Sequence, residues 1–131
     1  MKAGSDNLKE TELANFDIEN NSSSNIKNDL VNILESKGAE EINVIDLHGK
    51  SDIADYLIIC TGSSTVNVSA LAEYSSKYFK ERKIEVNIEG RPHNNWVIVD
   101  SASVVVHIFR QEIRELYQLD KMWGDIKPSS Q

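Results

Sequence analysis

A chain of 131 residues with a formal net charge of −7 has room for one domain with a useful core. It is a poor candidate for direct nucleic-acid binding, which relies on Lys and Arg replacing counterions along the phosphates; a basic protein is the more natural partner. Cys60 is the single cysteine and excludes an internal disulfide, no apolar run approaches the ~18 residues of a membrane span, and the acidic N-terminus resembles neither a signal nor a transit peptide, so a reducing, cytoplasmic location is expected.

The first 25 residues, MKAGSDNLKETELANFDIENNSSSN, set Lys2 and Lys9 against Asp6, Glu10, Glu12, Asp17 and Glu19 and hold few large apolar side chains. Such a stretch cannot bury enough surface to offset its ordering entropy and is expected to be a disordered or loosely docked acidic tail. Ile26, Leu30, Ile33 and Leu34 then recur at helical spacing before Gly38, which predicts a first helix. INVIDL, 42–47, is rich in branched side chains and predicts a strand, with HGKSDIAD supplying turn and cap chemistry. YLIICTG, 56–62, is apolar on both parities, as expected for an interior strand covered on both faces. After TGSS, the residues Val68, Leu71, Ala72, Ser75, Tyr78, Phe79 and Arg82 step by three and four along one face of a long helix.

EVNIEG, 85–90, predicts a short strand that would run parallel to the 56–62 strand if the two are adjacent. Gly90 and Pro92 break the chain before a hairpin of two apolar strands, NNWVIVD and VVVHIF, turning through DSAS. Phe109, Ile113, Leu116, Tyr117 and Trp123 form a roughly helical stripe ending at Gly124, with Pro128 soon after. This order predicts an α/β domain over residues 26–125, a mixed five-stranded sheet packed with helices, followed by a flexible C-terminus at 126–131.

TGSS, 61–64, sits where a strand feeds a helix, and free N–H groups there can hold an anion. A phosphate loop needs more glycine than Gly62 alone, and an ordinary N-cap at Ser63 or Ser64 accounts for the same letters. A Gly-Ser turn also begins the pattern of nucleotidyltransferases, which hold magnesium on two carboxylates at i and i+2 of a following strand. In EVNIEG, Asn87 stands where the second acid belongs, and Glu85 and Glu89 are too far apart along a strand to chelate one ion together. No metal, cofactor or catalytic residue is expected.

His48, His93 and His107 share no metal-binding spacing with one another or with Cys60. His107 reads either as a buried or half-buried imidazole with a satisfied hydrogen bond or as an interface contact. Trp96 has the better functional claim. Trp96, Ile98 and Asp100 share one face of their strand, and Val97 and Val99 share the other. A face that is aromatic, then aliphatic, then acidic suits an interface, where tryptophan is enriched among the dominant contacts; the pattern leaves core packing open as well.

ADYLIICTGSSTVNVSALAE, EG at 89 and 90, NNWVIVD, VVVHIF and RELYQLDKMWGD at 114–125 together resemble the Iojap family, whose bacterial members are ribosomal silencing factors. Several separate blocks in the right order are far more specific than any one motif. The resemblance implies a nucleotidyltransferase-like fold without transferase activity, often as a homodimer. It also implies binding to ribosomal protein fourteen of the large subunit, on the face where the small subunit docks. The subunits are thereby kept from joining, and translation falls when nutrients are scarce. The alternatives are a role in assembly of the large subunit and nucleotidyl or phosphoryl transfer at the Gly62 to Ser64 turn. Ribosomal proteins are typically basic, which agrees with the charge of this chain.

Carried over to this sequence, the family's tryptophan after the EG turn is Trp96, the aspartate closing that strand is Asp100, and VVVH is Val104 to His107. The closing Arg, Tyr and Trp are Arg114, Tyr117 and Trp123. The partner surface is therefore expected around Trp96, Ile98, Asp100, Ser101, His107 and Tyr117. There are two departures. Val66 and Asn67 replace Arg-Gln or Arg-His, and Ser101, Ala102 and Ser103 replace an apolar or aromatic residue followed by Gly-Asp.

Overall fold

The structure, a computed structural model, describes residues 21–91 and 93–117, with Leu116 and Tyr117 described by backbone alone. The expected tail up to residue 20, Pro92, Trp123, Gly124, Pro128 and the stretch 126–131 lie outside the described residues.

Helix α1 spans Ser23–Ser36 and buries Ile26, Leu30 and Leu34, one residue per turn. It begins ahead of the first apolar position, because Ser22 in the Ser/Asn cluster accepts the Asn25 N–H at 3.2 Å. A cluster with nothing to bury thus supplies the hydroxyl that a helix N-terminus needs. The strands β1 (Glu40–Asp46) and β2 (Tyr56–Gly62) follow, then helix α2 (Thr65–Glu81) and the short strand β3 (Asn87–Glu89). Strands β4 (Trp96–Asp100) and β5 (Val104–Arg110) form the hairpin, and α3 runs over Gln111–Tyr117.

One mixed sheet results, in the order β1-β2-β5-β4-β3. β2 and β5 are parallel, and every other neighbouring pair is antiparallel. The expected five-stranded α/β sheet is therefore present, but β2 and β3 are not neighbours. The hairpin stands between them. β5 is apolar on both faces and needs cover on both, which favours the sheet interior, whereas a three-residue Asn-Ile-Glu strand suits an edge. Phe109, expected on the closing helical stripe, belongs instead to β5, where it pairs with Thr61 and Trp96. Ladder pairing on both sides prevails over helical spacing up to Arg110.

Strand alternation sorts the sheet's side chains into two layers. Ile58, Cys60, Val97, Val99, Val104, Val106 and Ile108 pack with Ile26, Leu30 and Leu34 of α1 and Val68, Leu71, Ala72 and Phe79 of α2, each at most 1% exposed. Burial there pushes the Cys60 thiol up to about 12, so this cysteine is a neutral core residue. Leu57, Ile59, Val105 and Phe109 point the other way and pack with Leu47 and Ala54 of the β1–β2 loop, while Ile45, Trp96, Ile98 and Ile113 are partly buried around them.

Candidate functional site

Cross-strand register makes the second face a grid. One row runs Asn43, Ile59, His107, Ile98, Glu89; the next runs Thr61, Phe109, Trp96; the third runs Ile45, Leu57, Val105, Asp100, Asn87. Exposure rises across it from β2 to β3. Leu57, Ile59, Thr61, Val105 and Phe109 are buried, His107, Ile98 and Trp96 are half-buried, and Asp100, Asn87 and Glu89 are exposed.

The open half is built around one hydrogen bond. The indole N–H of Trp96 donates to Nδ1 of His107 at 3.0 Å. The Phe109 ring lies beside both, with centroids 4.9 Å from Trp96 and 5.9 Å from His107. An indole only donates, so Nδ1 must be the bare nitrogen and the neutral imidazole carries its proton on Nε2. Burial lowers the His107 pKa to about 4 despite the opposing charge of Asp100, which leaves the ring neutral near pH 7. The start of β4 is fixed as well. Arg110 Nε donates to Asn95 Oδ1 at 2.8 Å, and Gly90, at φ +101°, sits where any Cβ would collide with the Trp96 carbonyl. The glycine of the EG block thus lets two backbone segments touch behind the tryptophan.

Trp96, Ile98, Asp100 and His107 therefore meet on one surface, apolar and aromatic at its centre with Asp100 and Glu89 on its rim. Ser101 does not join them. It is buried, and its hydroxyl donates to the Val104 carbonyl at 2.8 Å and accepts the Val104 N–H at 3.2 Å, closing the hairpin turn. Tyr117 ends α3, and its side chain lies outside the described residues. Sequence reasoning does not single out Asn87, Glu89 or Phe109 as members of this surface. Alternation puts residues on a face of their own strand, but only strand order shows whose face adjoins it.

The anion and transferase readings lose their geometry. Ser64 caps α2 by accepting the Asn67 N–H at 3.1 Å, and Asn67 Oδ1 accepts the Ser63 N–H at 3.0 Å, so two donors that an anion would use are taken. A Cβ at Gly62 would stand 2.7 Å from Val68 Cγ2, so this glycine serves the close packing of α2 on β2. Glu89 stands on β3, with β5 and β4 between it and the Gly62 turn. His48 pairs with Asp46 at 2.7 Å and lies 3.5 Å from Asp55; its backbone N–H and ring hold the Asp46 carboxyl below the usual range. His93 is exposed before β4. Among the described residues, no group of three or more His, Cys, Asp or Glu could hold a metal ion, and no helix is long and apolar enough to cross a membrane.

Fold and site together describe a small α/β domain with a mixed sheet, roofed by helices on one side and, among the described residues, partly covered on the other. The model of the family Ribosomal silencing factor during starvation matches residues 20–131. The chain is 40% identical over 96 residues to the ribosomal silencing factor RsfS of Halalkalibacterium halodurans, a match covering 72% of this chain and 82% of that protein. It is 36% identical over 98 residues to the Mus musculus protein called mitochondrial assembly of ribosomal large subunit protein 1, covering 72% of this chain and 43% of the mouse protein. A crystal structure of a Chromobacterium violaceum protein superposes with a TM-score of 0.75 at 29% identity, over 82% of this chain and 90% of that one. The chain belongs to the ribosomal silencing factor family.

Proposed function

We propose that this chain represses translation by steric exclusion. The open half of its second sheet face docks on ribosomal protein fourteen of the large subunit, and the bound protein keeps the small subunit from joining when nutrients are limiting. The observation that carries this reading is the half-buried Trp96, tied to His107 on the sheet face away from α1 and α2 and rimmed by Asp100 and Glu89. An aromatic side chain held in place adds contact area at little entropic cost, and rim acids steer a basic protein toward it. Membership of the family supports the ribosome as destination. No chemistry is required: the chain acts in the cytoplasm as a non-enzymatic competitor for space, and a contact of roughly 800 Å² per partner would suffice.

Titrating isolated ribosomal protein fourteen against the chain and its Trp96→Ala variant tests the contact, and sedimentation of recombining subunits tests the consequence. Weaker binding and loss of the block are expected for the variant. Equal affinities remove Trp96 from the interface; unhindered joining in the presence of the unmodified chain removes repression. Similarity to a mouse protein named for assembly of the mitochondrial large subunit favours a second reading, in which the same surface acts during subunit maturation. Incomplete large subunits accumulating in cells that lack the chain, without extra joined ribosomes, would select it.

A further inference from the structure

We infer that His107 is the positioning residue of the docking surface: as a neutral, Nε2-protonated ring it holds the Trp96 indole in the orientation that the partner protein meets. The inference rests on the docking reading above and adds what makes that surface competent.

The first observation is register. Ile98, not Trp96, stands directly opposite His107, and Trp96 stands opposite Phe109. The indole therefore reaches diagonally from β4 to β5 to place its N–H 3.0 Å from Nδ1. A diagonal bond of this kind restrains the indole to one of its staggered rotamers. The second is chemical complementarity. An indole can be answered only by a lone pair, and a neutral histidine offers one in the plane of a ring that also fills the sheet face. The third is that the acceptor is itself held. The His107 ring stacks on Phe109 at an interplanar angle of 22°, and Phe109 is completely buried. From Phe109 through His107 to Trp96, the rigidity of a closed core is carried to a residue that meets solvent.

Among the described residues, the charged side chains sharing this face are Asp100 on β4 and Glu89 on β3, with Glu41, whose carboxylate accepts from the Thr61 hydroxyl at 3.4 Å, and Arg114 toward the β1 side. β2 presents Ile59 and Thr61, and β1 presents Asn43. From α3, Arg114 donates to the Thr61 hydroxyl and the Glu41 carbonyl. Burial keeps the ring neutral at pH 7. Protonation at Nδ1 would remove the lone pair, so acid should release the indole while neutral pH keeps it fixed.

The full chain labelled with nitrogen-15 on tryptophan tests this without any partner. The Trp96 Nε1–H resonance is identified by its loss in Trp96→Phe, which separates it from Trp123. At pH 7 its hydrogen exchange is expected to be slow in the unmodified chain, fast in His107→Phe, and slow in His107→Gln, whose amide oxygen can accept. Lowering the pH should shift the resonance with a midpoint near 4 in the unmodified chain and leave it in place in His107→Gln. Binding to ribosomal protein fourteen should weaken roughly tenfold in His107→Phe and recover in His107→Gln, the scale of one lost hydrogen bond. Equal indole exchange in the unmodified chain and His107→Phe overturns the positioning role. If His107→Phe does not fold, an indole resonance that fails to titrate between pH 7 and pH 3 overturns it instead. Unchanged affinity of Trp96→Ala overturns the docking reading, and it is recognised as such because the exchange measurement contains no ribosomal protein.

Discussion

The two faces of the β4–β5 hairpin are written by alternate letters of the same segments, yet they end in different surroundings. Val97 and Val99 have no exposed surface beneath α1 and α2; Trp96 and Ile98, their immediate neighbours, stay half-buried on the other side. Among the described residues, that second side is covered by the β1–β2 loop and α3, which lie over β2 and β5. Burial among the described residues falls from β5 to β4, and Trp96, Ile98 and Asp100 there are half-buried or exposed. Closure on one face makes the domain stable, and the half-buried side chains on the other are what the proposed docking would use.

The hardest test of this contrast places the same charge on each face. Val97→Asp would put an unpaired carboxylate in the closed core and should cost more than about 4 kcal/mol, enough to unfold a marginal domain in a urea titration. Ile98→Asp, one residue on, should cost about 1 kcal/mol while weakening capture of large subunits. Comparable losses at both positions would mean that the second face is core.

The next effect is set by pH. Folding lowers the His107 pKa from 6.5 to about 4, so between these values the unfolded chain binds more protons than the folded one. Stability should be level above about pH 6.5 and decline as the pH falls toward 4, by on the order of 3 kcal/mol at the far end. Denaturant melts across that range should show a smaller slope for His107→Gln than for the unmodified chain. A smaller change is expected at the contact itself. Trp96→Ala should cost about 2 kcal/mol of binding to ribosomal protein fourteen, read by titration, with an unaltered circular dichroism spectrum.

The smallest concerns the turn. Ala102 holds φ +77°, a left-handed conformation that is unfavourable for a side chain with a Cβ, while Asp100 Oδ1 accepts its N–H at 2.8 Å. This is the position where the resemblance places glycine. Ala102→Gly should raise stability by about 1 kcal/mol in the same melts and leave binding unchanged.

Several of these features are legible in the letters, each for a local reason. Alternation along NNWVIVD separates Trp96, Ile98 and Asp100 from Val97 and Val99, and TGSS reads as a cap at Ser63 or Ser64, of which the structure uses Ser64. Ser101 misleads, because a hydroxyl beside an aspartate at a strand end resembles surface chemistry, whereas here it closes the turn on Val104. Phe109 misleads in the same way, since its spacing to Ile113 is helical until β5 finds β2 and β4 on either side. The segment from β2 through α2 to β3 has the form of a unit with adjacent strands, and nothing within it announces the later hairpin that separates them.

The amino-acid sequence by itself determined the elements, their caps and which residues share a face, because periodicity and capping depend on neighbours within a few positions of the chain. Tertiary structure alone decided the strand order, which part of the second face is most deeply buried and the acceptor that Trp96 finds in His107. Those outcomes follow from all the apolar faces competing for cover at once, and a bond between strands exists only after that competition has set their register.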